Sequence, residues 1–247
     1  LWMIGYFYHH YTSPDRHDYS YIGPFNYLKD GLKRKLRNLI GNDDLYDRYE
    51  PTDDFAFFPL HYEPEIGLLL QAPFFTNQLH TIKQIASALP VGYKLYVKEH
   101  PVMVAYRPRS FYKQLKKIPN LKLLPPSISS YEIIPHAKLI LTITGTVGWE
   151  AIIFKKPVIL FGEIFYNKLS FVAKCPKIED LSLIIKNLME NPRYDEDELI
   201  RYVAYILEDS ADINLQYLWK REPDMAKKKE GLKPLADLLA KKIGLSQ

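Results

Sequence analysis

The sequence predicts an α/β fold, a Rossmann-like doubly wound parallel sheet with a helical carboxyl-terminal extension. Three observations carry this. Between residues 55 and 161, short apolar runs recur, bounded by turn signals and separated by helical patterns. That is the pattern of βαβ units whose strands are buried on both faces. Connections of this kind are right-handed and lay helices over both sides of the sheet. After residue 190 only helical periodicity remains.

The elements follow in order. Residues 1–54 are aromatic and polar, with Tyr6, Tyr8, His9, His10, Tyr11, Tyr19 and Tyr21 among them. They hold one clear helix over Leu28–Ile40, where Leu32, Leu36 and Ile40 share a face. The stretch cannot close a core, so it reads as an arm that packs on a neighbour. The α/β domain spans 55–190. Phe55–Leu60 is its first strand, followed by a helix carrying Leu79, Ile82, Ile85, Ala86 and Leu89 and stopped by Pro90 and Gly92. Lys94–Lys98 is a strand, Ser110–Ile118 a helix, Leu121–Leu124 a strand and Ser129–His136 a short helix. Leu139–Ile143, Val147–Phe154, Val158–Phe161 and Ile178–Met189 complete the alternation. The extension, 191–247, has one helix around Leu199–Leu207 and another around Leu235–Ile243, joined by a charged linker, Lys220–Lys233. A basic amphipathic tail of this kind is a candidate for peripheral contact with an anionic membrane surface.

Composition bounds the function. The chain has 247 residues, a net charge of +4, 47% hydrophobic and 25% charged residues, which is ordinary for a globular protein and excludes disorder throughout. The charge is too small and dispersed to point to nucleic acid. No apolar run reaches the length of a membrane-spanning helix. Cys175, the one cysteine, cannot form an internal disulfide, which fits a reducing cytoplasm. The chain opens Leu1-Trp2-Met3-Ile4, with neither an initiator Met nor a signal-peptide layout. It is expected to be a piece of something longer.

Ligands of open parallel sheets sit beyond the carboxyl ends of the strands, and four stretches lie there. In Leu139–Ala151 a buried strand enters a turn, Thr144-Gly145-Thr146-Val147-Gly148, and then a helix. Backbone N–H groups and the helix dipole favour an anion there. Thr144 and Thr146 add hydroxyls, Gly145 and Gly148 admit a ligand to the backbone, and Glu150 can accept from sugar hydroxyls. A plain βα turn with a Thr cap is the alternative. The turn matches neither G-x-G-x-x-G nor the P-loop, which argues against a dinucleotide dehydrogenase or an ATPase. Val97-Lys98-Glu99-His100-Pro101 sets three ionisable groups at a strand end, either a solvated Lys–Glu pair with a capping His or a phosphate-binding His. Phe58-Pro59-Leu60-His61-Tyr62-Glu63-Pro64-Glu65 offers two carboxylates for acid–base work or sugar binding, or else a stiff exposed loop. Ser127-Ile128-Ser129-Ser130 supplies helix caps or phosphate donors. No metal is expected, because no H-E-x-x-H is present and His9-His10 lack matching carboxylates. Neither a G-x-S-x-G elbow nor a His near Cys175 is present.

These strings occur in a fixed order, completed by Leu89-Pro90-Val91-Gly92 and by Lys156-Pro157-Val158-Ile159-Leu160-Phe161-Gly162. Over roughly residues 50–170 the chain resembles the carboxyl-terminal half of the bacterial capsule polysaccharide biosynthesis family, which includes Kdo transferases. The resemblance implies the donor-binding half of a GT-B glycosyltransferase of surface or capsular polysaccharide biosynthesis. Its implied partners are a nucleotide sugar, CMP-linked Kdo or a related acid, and a polysaccharide or glycolipid acceptor. No cofactor is implied beyond the donor substrate. By the same resemblance His100 with Pro101, and Ser129 with Ser130, hold the donor phosphate, and Glu150 is the ribose-binding acid. The catalytic residue stays unassigned, with Glu63 and Glu65 as candidates. Residues 1–54 supply no amino-terminal acceptor domain, so the chain alone is expected to carry an incomplete site. The implied location is the cytoplasm, with peripheral contact to the inner membrane or to capsule-assembly proteins. Alternatives are a sugar-nucleotide epimerase of GT-B-like fold and a non-catalytic nucleotide- or glycan-binding module.

Overall fold

In the computed structural model the described residues are 5, 8, 12, 23–63 and 65–244. Leu1–Ile4, Tyr6, His9, His10, Tyr11, Tyr19, Tyr21 and Pro64, all singled out above, lie outside them. The chain divides into two compact units, Leu1–Arg193 and Tyr194–Gln247.

The first unit is built on strands β1 (Phe55–Pro59), β2 (Lys94–Lys98), β3 (Leu121–Leu124), β4 (Leu139–Thr142), β5 (Val158–Leu160) and β6 (Ala173–Lys174). All pair in parallel, in the order β3-β2-β1-β4-β5-β6. The chain therefore winds outward from β1 through β2 and β3, returns beside β1 as β4, and winds out the other way. The reversal lies between β1 and β4, where open sheets of this order bind their ligands. Along β1, Phe55, Phe57 and Phe58 are fully buried, each contributing about 2 kcal/mol of apolar burial. Alternating strand faces meet helices on both sides, which is why these runs are continuously apolar.

Helices α1 (Pro24–Ile40), α2 (Ile66–Gln71), α3 (Gln78–Ala88), α4 (Arg109–Leu115), α5 (Ser130–Ile133), α6 (Val147–Ile153) and α7 (Leu181–Glu190) belong to this unit. The Asn77 side chain caps α3 by accepting from the His80 N–H, and Ile82 and Ile85 are buried in the core. Two elements of this unit went unseen in the sequence. α2 is too short to display a period, and β6 is a two-residue edge strand. Residues 42–50 follow the β3 edge, where Asp47 exchanges backbone and side-chain hydrogen bonds with Leu123 (2.7 and 2.8 Å). At the foot of the sheet, away from the strand ends that carry the motifs, Asp53 accepts from Lys94 (2.7 Å), Lys122 (2.8 Å) and Tyr96 (2.5 Å).

The second unit holds α8 (Glu196–Glu208), α9 (Leu215–Lys220) and α10 (Met225–Lys242). The expected charged linker over Lys220–Lys233 is helical from Met225 onward. Asp224 accepts from the N–H groups of Ala226 and Lys227, and Lys, Ala and Glu are good helix formers. Lys227-Lys228-Lys229 therefore sits on the first turns of α10. Gly231 closes against Leu218 of α9, leaving no room for a side chain. No described helix is long and apolar enough to cross a membrane.

Candidate functional site

The four stretches singled out in the sequence converge on one cavity of about 350 Å³ at the carboxyl ends of β1, β2 and β4. His61, Tyr62 and Glu65 come from the β1 loop, Lys98 from the end of β2, Glu99, His100 and Pro101 from the loop after it, Ser130 from α5, and Thr144, Gly145 and Thr146 from the β4–α6 turn. This is the crevice at the reversal of strand order.

The walls are fixed by a buried polar scaffold. The Glu99 carboxylate is fully buried and accepts from Arg107 Nη1 (2.5 Å), the Tyr112 hydroxyl (2.7 Å) and the His100 N–H (2.6 Å). Arg107 Nη2 donates to the His61 carbonyl (2.6 Å) and stands 3.4 Å from Glu63. One guanidinium thereby ties the loops after β1 and β2 together. A buried carboxylate needs such partners to remain inside. The solvated Lys98–Glu99 pair weighed from sequence is thus not what forms, because β2 carries both residues into the interior.

His61 spans the reversal itself. Its Nε2 accepts the Thr144 N–H at 3.1 Å and faces the Thr142 hydroxyl at 3.2 Å, while Thr142 Oγ1 accepts the Gly145 N–H at 3.1 Å. Burial, then the charges of Arg107 and His100, push its pKa down to about 4, with only the Pro59 backbone acting in the other direction. A neutral ring with Nε2 as acceptor carries its proton on Nδ1. His61 is accordingly the pin that holds the β4–α6 turn against β1.

Lys98 is 8% exposed. Burial lowers its pKa against the opposing charges of Glu150 and Glu99. Glu150 answers with a pKa raised by burial and opposed by Lys98. Among the described residues no hydrogen bond or close ion pair ends on the Lys98 ammonium, which borders the cavity. His100 Nδ1 accepts the Val102 N–H at 3.3 Å, so in the neutral ring Nε2–H is the donor. Thr144 Oγ1 is buried without a hydrogen-bond partner. A cation, a ring N–H and an unsatisfied hydroxyl on one concave wall are suited to a phosphate oxygen.

The remaining candidates separate. Glu65 lines the cavity, whereas Glu63 is held by Gln78 Nε2 and Arg107 outside it. Ser130 reaches the cavity, whereas Ser129 is the N-cap of α5, accepting from the Tyr131 N–H within a capping box closed by Glu132. The Thr146 hydroxyl makes no cap bond to α6, so the Thr-cap alternative fails there. Gly148 departs from its expected part in ligand approach. It is buried, and a Cβ on it would stand 2.2 Å from the Tyr166 hydroxyl, which donates to the Gly145 carbonyl at 2.5 Å. Its missing side chain makes room for Tyr166 rather than for a ligand. Glu150 sits one turn into α6, beside Lys98 rather than on the cavity wall. The seven-residue α6 supplies little macrodipole, so the cavity's positive character comes from Lys98 instead.

Arg107, Tyr112 and Tyr166 were not anticipated. Each acts through partners distant in sequence, and only the aromatic or basic residue type was visible beforehand.

The chain is similar to several known proteins. FixF of Sinorhizobium fredii (strain NBRC 101917 / NGR234) is 27% identical over 137 residues, covering 53% of this chain and 33% of FixF, so the chain matches about a third of that relative. Among solved structures, the Thermosulfurimonas dismutans KpsC β-Kdo 2,7-transferase superposes with TM-score 0.42 at 20% identity, over 63% of this chain and 50% of that one. The UDP-GlcNAc 2-epimerase of Methanocaldococcus jannaschii gives 0.42 at 17%, over 72% and 50%. Anabaena Alr3699/HepE, solved with UDP and glucose, gives 0.39 at 14%, over 74% and 53%. Residues 32–171, more than half of the sequence and the whole of the β1–β5 framework around the cavity, match the capsule polysaccharide biosynthesis proteins, and the chain belongs to that family.

Proposed function

We propose that the cavity between β1, β2 and β4 holds the phosphate of a nucleotide sugar, and that the chain is the donor-binding half of a GT-B glycosyltransferase of capsular or surface polysaccharide synthesis. The supporting observation is the wall formed by Lys98, His100 and the unsatisfied Thr144 hydroxyl at the reversal of strand order. Transfer of the sugar leaves negative charge on the departing phosphate. Lys98, the His100 Nε2–H and the hydroxyls of Thr144, Thr146 and Ser130 are the groups that would stabilise it. Donors fixed in place before reaction are worth most in a water-poor site. Glu65, facing the cavity, replaces Glu63 as the carboxylate nearest the chemistry.

A CMP-activated acid such as Kdo is the proposed donor, a choice that rests on the family resemblance. The acceptor, a polysaccharide or glycolipid, would approach from a second domain outside residues 1–247. A cytoplasmic site, where activated sugars are made, is part of the same proposal.

Calorimetry with CMP, CDP and UDP tests the reading on the full chain. CMP is expected to bind, and Lys98→Met or His100→Ala each to weaken it about tenfold, the value of about 1.4 kcal/mol. Absence of binding by all three nucleotides, or affinity unchanged in both variants, overturns it.

A further inference from the structure

Helix α1 faces the wrong way for a helix of a globular domain. Such helices ordinarily turn an apolar stripe inward and charge outward. Here only Gly31, Arg34 and Arg37, spaced by three, are partly covered between Pro24 and Ile40. These two arginines fasten the helix to the loop after β2. Arg34 donates to the Tyr106 hydroxyl at 2.8 Å, with its guanidinium 4.9 Å from that ring. Arg37 donates to the carbonyls of Ala105 and Tyr106.

The opposite face is apolar and exposed. Leu28, Leu32, Leu36, Leu39 and Ile40 fall within one stripe at 100° per residue, and Leu39 is 85% exposed. Lys33 and Lys35 flank that stripe and Lys29 lies within its edge, all three exposed, and Asp30 is the helix's one acid. Lysines beside an apolar stripe lay their stems along it and carry their ammonium groups outward.

We propose that α1 docks on an anionic bilayer surface, lying in the interfacial plane with its leucines in the acyl boundary and Lys29, Lys33 and Lys35 on the headgroup phosphates. Seventeen residues span about 26 Å, and the helix lacks the length and apolarity to cross, so it lies on the surface. Charge selects this occupant: an apolar stripe alone would suit any hydrophobic partner, whereas the lysine border favours negative headgroups. The inference stands apart from the nucleotide reading, since it uses none of the cavity residues.

Co-sedimentation of the full chain with vesicles tests it, using phosphatidylcholine alone and phosphatidylcholine with phosphatidylglycerol in equal parts. Binding is expected to the mixed vesicles only, and to fall as salt is raised. Each of Lys29→Gln, Lys33→Gln and Lys35→Gln should weaken partition about fivefold. The pair Leu36→Gln and Leu39→Gln should abolish it without moving the urea midpoint, because both side chains are exposed. The triple change Lys227→Gln, Lys228→Gln and Lys229→Gln on α10 should leave it intact. No binding to mixed vesicles overturns the proposal, as does loss of binding in the α10 variant instead. A chain that becomes monomeric with Leu36→Gln and Leu39→Gln while vesicle binding persists also overturns it, and makes a second copy the occupant.

Discussion

Replacing His61 by Gln should remove a pH dependence from the stability of this protein. In the fold the ring is neutral, with a pKa pushed down to about 4 by burial, Arg107 and His100, whereas a His in the unfolded chain titrates near ~6.5. Below about pH 6.5 the unfolded chain therefore takes up a proton that the folded one refuses. Stability is fully present above that pH and falls as the pH drops toward about 4. At about 1.4 kcal/mol per tenfold change in proton affinity, the whole window is worth about 3 kcal/mol, of which about 2 is lost between roughly pH 7 and pH 5. Gln keeps an acceptor oxygen near the place of Nε2, so the Thr144 N–H at 3.1 Å retains a partner, but Gln does not titrate. Urea unfolding of both proteins at the two pH values measures the difference, and every other titrating group cancels in the comparison. Wild type should lose about 2 kcal/mol more than the variant. Parallel losses would refute the neutral, buried His61 and with it the account of how the β4–α6 turn is held.

Gly148→Ala should destabilise the fold by about 2 kcal/mol, because overpacking against the buried Tyr166 ring outweighs the helix propensity gained. Adding Tyr166→Phe removes the atom at 2.2 Å and should recover at least half of that loss, as a double-mutant cycle in urea would show. At the foot of the sheet, burial alone would raise the Asp53 pKa, but hydrogen bonds from Lys122, Lys94 and Tyr96 hold it well below the usual carboxylate range. Its contribution is therefore present above about pH 4 and lost as the pH falls further. Asp53→Asn should cost about 2 kcal/mol near neutral pH and flatten that acid limb; an unchanged midpoint at pH 7 would contradict the network.

The sequence alone carried the order and type of nearly every element between residues 55 and 190, because buried parallel strands are short apolar runs and turn residues punctuate them. It also carried which residues line the cavity, since His100, Thr144, Thr146 and Ser130 sit just past strand ends and the reversal of strand order brings strand ends together. The family was readable from the order of those strings.

Tertiary structure alone decided what each group does there. Glu63 and Glu65 are two residues apart, yet only Glu65 reaches the cavity, because Arg107, forty-four positions later, takes Glu63 away. Ser129 and Ser130 are neighbours, yet one caps a helix and the other lines the cavity. Lys98 and Glu99 read as a surface pair until the depth of β2 buries them both. The same holds for α1, whose amphipathic period was plain while its direction was not. Periodicity fixes which residues share a face, but only packing decides which face looks at the protein.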